Sequence, residues 1–173
     1  MRTALYWVLS VLAFLYLLGF LLCYIFLLGF NRKLKKRVTA FSILFSEKIE
    51  ALLALYHSFK EAKVKFSEAD LEAVRNVANL KNKRIKGSDI PFYRKTISTL
   101  EKRLHYLAEE NSWLKKEEDY ETMLSLLNDL NANYRRIVAT YNSDLLGYEY
   151  WRKQILYSFL FYLFGFREKS RIH

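Results

Sequence analysis

Apolar residues form one unbroken run near the start of the chain. From Ala4 to Phe30 no charged side chain occurs. A helix of this length covers about 40 Å, whereas a hydrocarbon core of roughly 30 Å needs only about 20 apolar residues. The pattern predicts a transmembrane anchor over residues 4–30, with Cys23 as an apolar filler. A secretory signal peptide is the alternative, but its apolar region is shorter and ends in a small-residue cleavage site.

The charges beside the run predict its orientation. Arg2 is the basic residue before it, and a basic collar follows it, formed by Arg32, Lys33, Lys35, Lys36 and Arg37. Positive charge is retained on the cytoplasmic side, so we expect a single-pass protein of the cell membrane. Its N-terminus would lie outside and residues 31–173 in the cytoplasm. The collar is then a candidate contact for anionic lipid.

Four amphipathic segments follow the collar. In the first, apolar residues recur at spacings of three and four, which predicts a helix with Lys48, Glu50 and Lys60 on its polar face. Its apolar positions are Leu34, Val38, Phe41, Phe45, Ile49, Leu52, Tyr56 and Phe59. No proline or glycine interrupts residues 31–66, so the anchor is expected to continue directly into this helix.

Local signals mark the later helices. Ser67 and Asp70 predict the start of a second helix over residues 68–86. Residues 87–91 form a break, in which Ser88 or Asp89 would cap a third helix that ends near residue 110. The fourth helix has an apolar stripe and an acidic start, which suits the helix dipole. The stripe is Tyr120, Met123, Leu127, Leu130, Tyr134, Ile137, Tyr141 and Leu145, and the acids are Glu117, Glu118, Asp119 and Glu121.

These segments predict an all-α fold. We expect the N-terminal transmembrane helix to be followed, over residues 31–149, by an antiparallel four-helix bundle with coiled-coil-like packing and long first and fourth helices. Five glycines and one proline do not supply the turns of a many-stranded sandwich or barrel.

Residues 150–173 form an aromatic-rich C-terminal tail with a basic end. Its apolar stretch, residues 155–166, is too short to span a membrane as a helix. Aromatic residues beside basic ones are typical of a membrane interface. The candidate interface residues are Trp151, Phe159, Phe161, Phe164 and Phe166. The alternative, that the tail folds back to fill a gap in the bundle, stays open.

The formal charge of +10 points to anionic partners. A second basic cluster flanks the turn between helices two and three and is a further candidate for anionic lipid: Lys81, Lys83, Arg84 and Lys86. With Arg94, Lys95 and the rings of Phe92 and Tyr93, it is also an alternative nucleic-acid surface. The absence of any helix-turn-helix, RRM or zinc-finger pattern disfavours nucleic acid.

No residue pattern indicates catalysis, a metal or a cofactor. His57, His105 and His173 stand in no ligand spacing, and no serine lies in a nucleophile motif. One cysteine excludes an intrachain disulfide. We therefore expect a protein that is not an enzyme.

The C-terminal part of the chain resembles the LemA family of bacterial membrane proteins, with the strongest match over residues 113–166. The matching stretch, WLKKEEDYETMLSLLNDLNANYRRIVATYNSDL, runs from Trp113 to Leu145 and includes the Tyr141-Asn142 pair; Phe164-Gly165-Phe166 follows at the equivalent place. A weaker match is Leu71 to Arg75. The family's Ile-Pro-Asn-Leu motif is replaced by Ile49-Glu50-Ala51-Leu52, and its proline before the tail is absent. The resemblance implies a divergent member that shares the fold and the membrane attachment, but no activity.

Together these features predict a non-catalytic, single-pass membrane protein. Its cytoplasmic bundle would be a scaffold or adaptor for a membrane-associated protein partner that the sequence does not identify, and the oligomeric state is left open. The alternative function is a membrane-tethered nucleic-acid-binding protein that uses the basic surface.

Overall fold

The computed structural model describes residues 2–81, 83, 85–114, 118–154 and 156–172. Over these residues the regular secondary structure is all helical, without a strand. The helices are α1 (Arg2–Glu61), α2 (Glu68–Ala78), α3 (Ile90–Glu110), α4 (Glu118–Arg152) and α5 (Ser158–Leu163). They contribute to two compact units, one of residues 1–36 and 141–171, the other of residues 37–140 and 172–173. The all-helical class and the single long apolar N-terminal helix are confirmed.

Helix α1 continues from the apolar run into the amphipathic segment without a break, as expected, but it ends at Glu61. Lys63 adopts a φ of 59°, and the Val64 N–H donates to the Phe59 carbonyl at 3.0 Å. This left-handed end places a lysine where glycine is usual. No glycine marks this end, so no local signal predicted it.

Helix α2 begins as predicted. The Ser67 hydroxyl accepts from the Asp70 N–H, and the Asp70 carboxylate accepts from the Ser67 N–H at 2.9 Å, which forms a capping box. The predicted end at residue 86 is wrong, because the helix stops at Ala78. The following segment instead buries Leu80 and Ile85, and tertiary packing of these two side chains overrides helix propensity.

A short 3-10 turn, Gly87–Asp89, leads into α3. The predicted side-chain cap is not formed there: the Asp89 carboxylate accepts from the Lys86 N–H at 3.0 Å and closes the turn. Pro91 lies in the first turn of α3, as expected, and the helix ends at Glu110.

In the second unit the predicted apolar stripes form much of the core. Phe41, Phe45, Ile49, Leu52 and Phe59 of α1 are buried. The ring centroids of Tyr93 from α3 and Tyr134 from α4 lie 5.8 and 6.0 Å from that of Phe45. In α4, Tyr120, Leu127 and Leu130 are buried, whereas Met123, Tyr134 and Ile137 are half-buried. The described acid Glu121 is exposed; Glu117 lies outside the described residues, as do the side chains of Glu118 and Asp119.

Lys48 does not lie on the exposed polar face of α1, and this prediction is wrong. Its side chain is buried and its ammonium donates to Glu101 at 2.7 Å and to Asn131 at 2.5 Å. The Asn131 amide in turn donates to the other oxygen of Glu101 at 2.8 Å. Burial is tolerated because these partners satisfy the ammonium and join α1, α3 and α4. Glu50 and Lys60 are exposed, as predicted.

Candidate membrane-facing site

The first half of the apolar run is uncovered. Every side chain from Thr3 to Leu18 is exposed. Helix α1 contains a window long and apolar enough to cross a membrane, and only 11% of that window is buried. The core helix of a soluble protein would show the opposite, because its apolar side chains would be covered. Over the described residues, α1 is thus a candidate membrane span by length, composition and exposure.

From Gly19 onward, one face of α1 is covered by the C-terminal part of the chain. Cys23, Leu27 and Leu34 are buried at helical spacing, as expected of an apolar filler at Cys23. The Phe20 ring stacks on Phe161, with centroids 5.5 Å apart, and the Tyr24 ring meets Phe166 edge-on. The tail therefore packs on the apolar run itself.

Two hydrogen bonds hold residues 156–157 of the tail against α1. The Tyr16 hydroxyl donates to the Leu156 carbonyl at 3.1 Å, and the Tyr157 hydroxyl donates to the Tyr16 carbonyl at 3.3 Å. A side chain at Gly19 would collide with the Tyr157 hydroxyl, so this glycine permits the close approach. Nearer the collar, the Trp151 ring stacks on Phe26 with centroids 4.8 Å apart. The described residues of 151–157 thus lie along α1 from Phe26 towards Tyr16, antiparallel to it.

The Phe-Gly-Phe sequence ends α5 and turns the chain back. Gly165 has a φ of 80°, which glycine adopts at little cost. The Phe166 N–H donates to the Phe161 carbonyl and the Gly165 N–H to the Tyr162 carbonyl, which is a Schellman motif. Phe161 and Phe166 are both buried and their rings meet edge-on. This motif is the physical role of the three residues here.

Of the five predicted interface residues, two face outward and three pack inward. Phe159 and Phe164 are exposed, Phe161 and Phe166 are buried, and Trp151 is half-buried on Phe26. The exposed apolar surface of the tail also includes residues that no sequence pattern indicated. Its members are Leu156, Phe159, Tyr162, Leu163 and Phe164, which are 59–72% exposed. Which tail residues face outward depends on how α5 meets α1, and no sequence period showed it.

The C-terminal basic residues approach the collar. The Lys169 ammonium donates to the Asn31 side chain at 2.5 Å and lies 4.9 Å from the centre of the Tyr148 ring. Burial, with a smaller contribution from Lys35, lowers the pKa of Lys169. Within the first unit, the structure therefore brings Lys169 beside Asn31 and close enough to Lys35 of the collar to feel its charge. The first unit also contains Arg32, Lys33 and Lys36 of the collar and Arg167 and Arg171 of the C-terminal end; Arg37 belongs to the second unit.

The second basic cluster lies in the second unit. Lys81, Lys83 and Lys86 are exposed, and Arg84 lies outside the described residues. Lys81 is 3.6 Å from the Glu50 carboxylate. A Cβ built on Gly87, next to Lys86, would lie 3.6 Å from Val38, so this turn reaches the α1 residue that follows Arg37.

The proposed stacking surface for nucleic acid is not formed as expected. Phe92 is exposed, but Tyr93 is only 5% exposed and stacks on Phe45. Its ring is therefore not accessible to a base. Arg94 and Lys95 are exposed on α3.

A small cavity of about 230 Å³ opens beside His105 in the second unit. The His105 ring lies 3.3 Å from the Tyr120 hydroxyl and 3.4 Å from Glu109. Leu124 and Leu127 line the apolar side of the cavity. Among the described residues, no group of three or more His, Cys, Asp or Glu side chains is arranged to hold a metal ion. His57 is exposed on α1.

No family model, no curated protein and no solved structure matches the chain.

Proposed function

We propose that the chain is a non-catalytic, single-pass membrane protein whose helical bundle is a scaffold or adaptor for a membrane-associated protein. The observation that carries this proposal is the exposure of α1 from Thr3 to Leu18, in a chain whose remaining helices bury a core. Exposed apolar surface of this length needs a non-aqueous environment. The bundle is then held at the membrane surface, where an adaptor would meet its partner.

In this proposal the N-terminus lies outside the cell membrane and the bundle in the cytoplasm, with the collar on the side of the anionic leaflet. Cysteines introduced at Ser112 and Ser170, in a chain with Cys23→Ala, test this topology in intact cells. Both are exposed positions in the folded chain. They are expected to resist a membrane-impermeant thiol reagent until the cells are opened. Rapid labelling before opening would reverse the orientation.

A groove of about 550 Å³ between the start of α2 and α3 is the proposed partner site. Tyr106 is 60% exposed along its edge, with Lys102 and Lys65 beside it. Aromatic residues are enriched in protein interfaces, and polar groups surround them at the rim. The groove thus combines an apolar anchor point with groups that select a partner by charge.

Photo-crosslinking in native membranes tests the adaptor function. A photoreactive residue at Tyr106 or Lys102 is expected to give the same protein adduct, and one at Asn133, exposed on α4, is the matched control. An identical pattern from all three positions would show non-specific proximity. No adduct from either groove position would contradict a partner in this groove.

We also propose that the bundle is an antiparallel four-helix bundle of the LemA type. Two observations support this: α1 and α4 are the longest helices, and the Phe-Gly-Phe sequence has a defined structural role.

The nucleic-acid alternative predicts binding to DNA or RNA with a steep salt dependence that liposomes of matching charge do not show. The burial of Tyr93 favours lipid over nucleic acid as the anionic partner.

A further inference from the structure

The apolar run is longer than a bilayer requires, and the structure divides it. Residues 3–18 are exposed all round and cover about 24 Å as a helix. From Gly19 to Phe30, one face is covered by protein. About four more residues, to Leu22, complete the roughly 30 Å of a hydrocarbon core. Residues 3–22 are thus long enough to span the hydrocarbon core, and residues 23–30, the last third of the apolar run, are not needed for the span.

Charge places a second limit on how deep the run can sit. The Lys153 side chain is 61% exposed. Lys153 comes two residues after Trp151, whose ring stacks on Phe26, and so lies beside the apolar run. If the hydrocarbon reached Phe30, Lys153 would stand inside it. A charged side chain in hydrocarbon is costly unless it can reach the interface. A boundary near Leu22 leaves Lys153 at the level of the lipid head groups.

The outward surface of the tail fits that boundary. The part of the tail nearest the N-terminus of α1 is held by the hydrogen bonds that join Tyr16 to Leu156 and Tyr157. Tyr16 lies about 9 Å along the helix from Leu22, within the roughly 5–10 Å to which interfacial helices insert. Phe159 and Leu163 are 71% and 64% exposed, so α5 presents an uncovered apolar face, as residues 3–18 of α1 do.

We infer that α1 crosses the bilayer with residues 3–22 only, and that the C-terminal tail is an interfacial wedge in the leaflet on the collar side. Leu156, Phe159, Tyr162, Leu163 and Phe164 enter the boundary between acyl chains and head groups. Residues 23–30 stand in and above the head-group layer, covered by the tail and the end of α4. The partner of this surface is the lipid leaflet itself. This inference rests on the proposed membrane anchorage and adds its depth and a second contact.

Backbone chemistry agrees with insertion of the tail. Irregular backbone is tolerated near hydrocarbon when its polar groups are bonded within the protein. The N–H groups of Lys153 and Gln154 donate to the carbonyls of Glu149 and Trp151, and that of Tyr157 donates to Gln154. The Leu156 carbonyl accepts from Tyr16. These four backbone groups of the bend between α4 and α5 are therefore paired within the protein.

Depth measurements on the full chain test the inference. Single cysteines at Leu12, Leu17, Leu22 and Phe159, in a chain with Cys23→Ala, carry spin labels in bilayers of phosphatidylcholine and phosphatidylglycerol. Each position is exposed on the folded chain. The ratio of collisions with oxygen and with a water-soluble nickel complex reports the depth of each label. Leu126→Cys, exposed on α4, is the aqueous control.

The expected profile is deepest at Leu12, shallower at Leu17 and at the boundary by Leu22, with Phe159 between Leu17 and Leu22. A maximum at Leu17 with Leu22 still deep would overturn the shortened span. A Phe159 label as accessible to nickel as Leu126 would overturn the wedge. If the Leu12 label were accessible to nickel as well, the proposed anchor itself would fail, which is a different result from either.

Discussion

Replacing Lys48 by methionine is expected to destabilise the second unit strongly. The Lys48 ammonium is the charged partner of Glu101, at 2.7 Å, and Lys48→Met removes it while keeping most of the apolar stem. Among the described residues, the carboxylate would be left with one donor, the Asn131 amide at 2.8 Å. Breaking a buried ion pair by removing one partner costs about 3–5 kcal/mol.

The structure places this variant near the lower end of that range. The Glu101 side chain keeps 23% of its exposure, so water can partly solvate the abandoned carboxylate, whereas Lys48 keeps 8%. We expect a loss of about 3 kcal/mol in the free energy of unfolding. Adding Glu101→Gln removes the unpaired charge, and the double variant is expected to recover about 1–2 kcal/mol of that loss.

Urea-dependent hydrogen exchange of α3 amides, measured on the full chain in detergent micelles, gives these free energies. Lys60→Met is the matched control, since Lys60 is exposed on the same helix, and a change within about 0.5 kcal/mol is expected there. A loss no larger for Lys48→Met than for this control would refute the reasoning. So would a double variant less stable than Lys48→Met alone, because the unpaired carboxylate could not then be the source of the loss.

Three further predictions concern the packing, the end of α1 and the cap of α2, and the same measurement tests them. Leu130→Ala, at a position 4% exposed, is expected to cost about 2–5 kcal/mol, and Leu126→Ala, at 44% exposure, well under 1 kcal/mol; equal effects would place the stripe outside the core. Lys63→Gly is expected to stabilise the chain by about 0.5–1 kcal/mol, since it relieves a left-handed lysine; a loss would contradict this. Burial raises the pKa of Asp70, but hydrogen bonds from Ser67 and Arg103 and the positive charge of Arg103 outweigh this and lower it, so its contribution is complete above the ordinary pKa of 3.8 and is lost as the pH falls below it. Asp70→Asn is expected to abolish that part of the acid dependence, and an unchanged profile would assign it to other groups.

Features decided by neighbouring residues were predictable from the sequence. The apolar run, the capping box at Ser67, the break before Pro91 and the end of α3 all depend on side chains within about four positions of one another. The stripe of α4 was predictable for the same reason, since helical spacing alone puts its members on one face. Leu127 and Leu130 are indeed buried. Such signals need no knowledge of what packs where.

Features decided by distant partners were not predictable. From the sequence, Lys48 is predicted to be a surface residue. Its burial depends on Glu101 and Asn131, which are far along the chain and are brought to it by the fold. Helix α2 ends early because Leu80 and Ile85 find buried positions outside the helix.

The candidate membrane site shows the same division. The sequence by itself determined that there is an apolar run, a basic collar and an aromatic tail, because composition alone specifies them. Only the tertiary structure decided that the tail lies along α1 as far as Tyr16 and that Phe161 turns inward while Phe159 turns outward. Apolar residues distributed all round a short helix have no preferred face of their own. The face that becomes buried is the one that α1 covers, and the opposite face stays exposed.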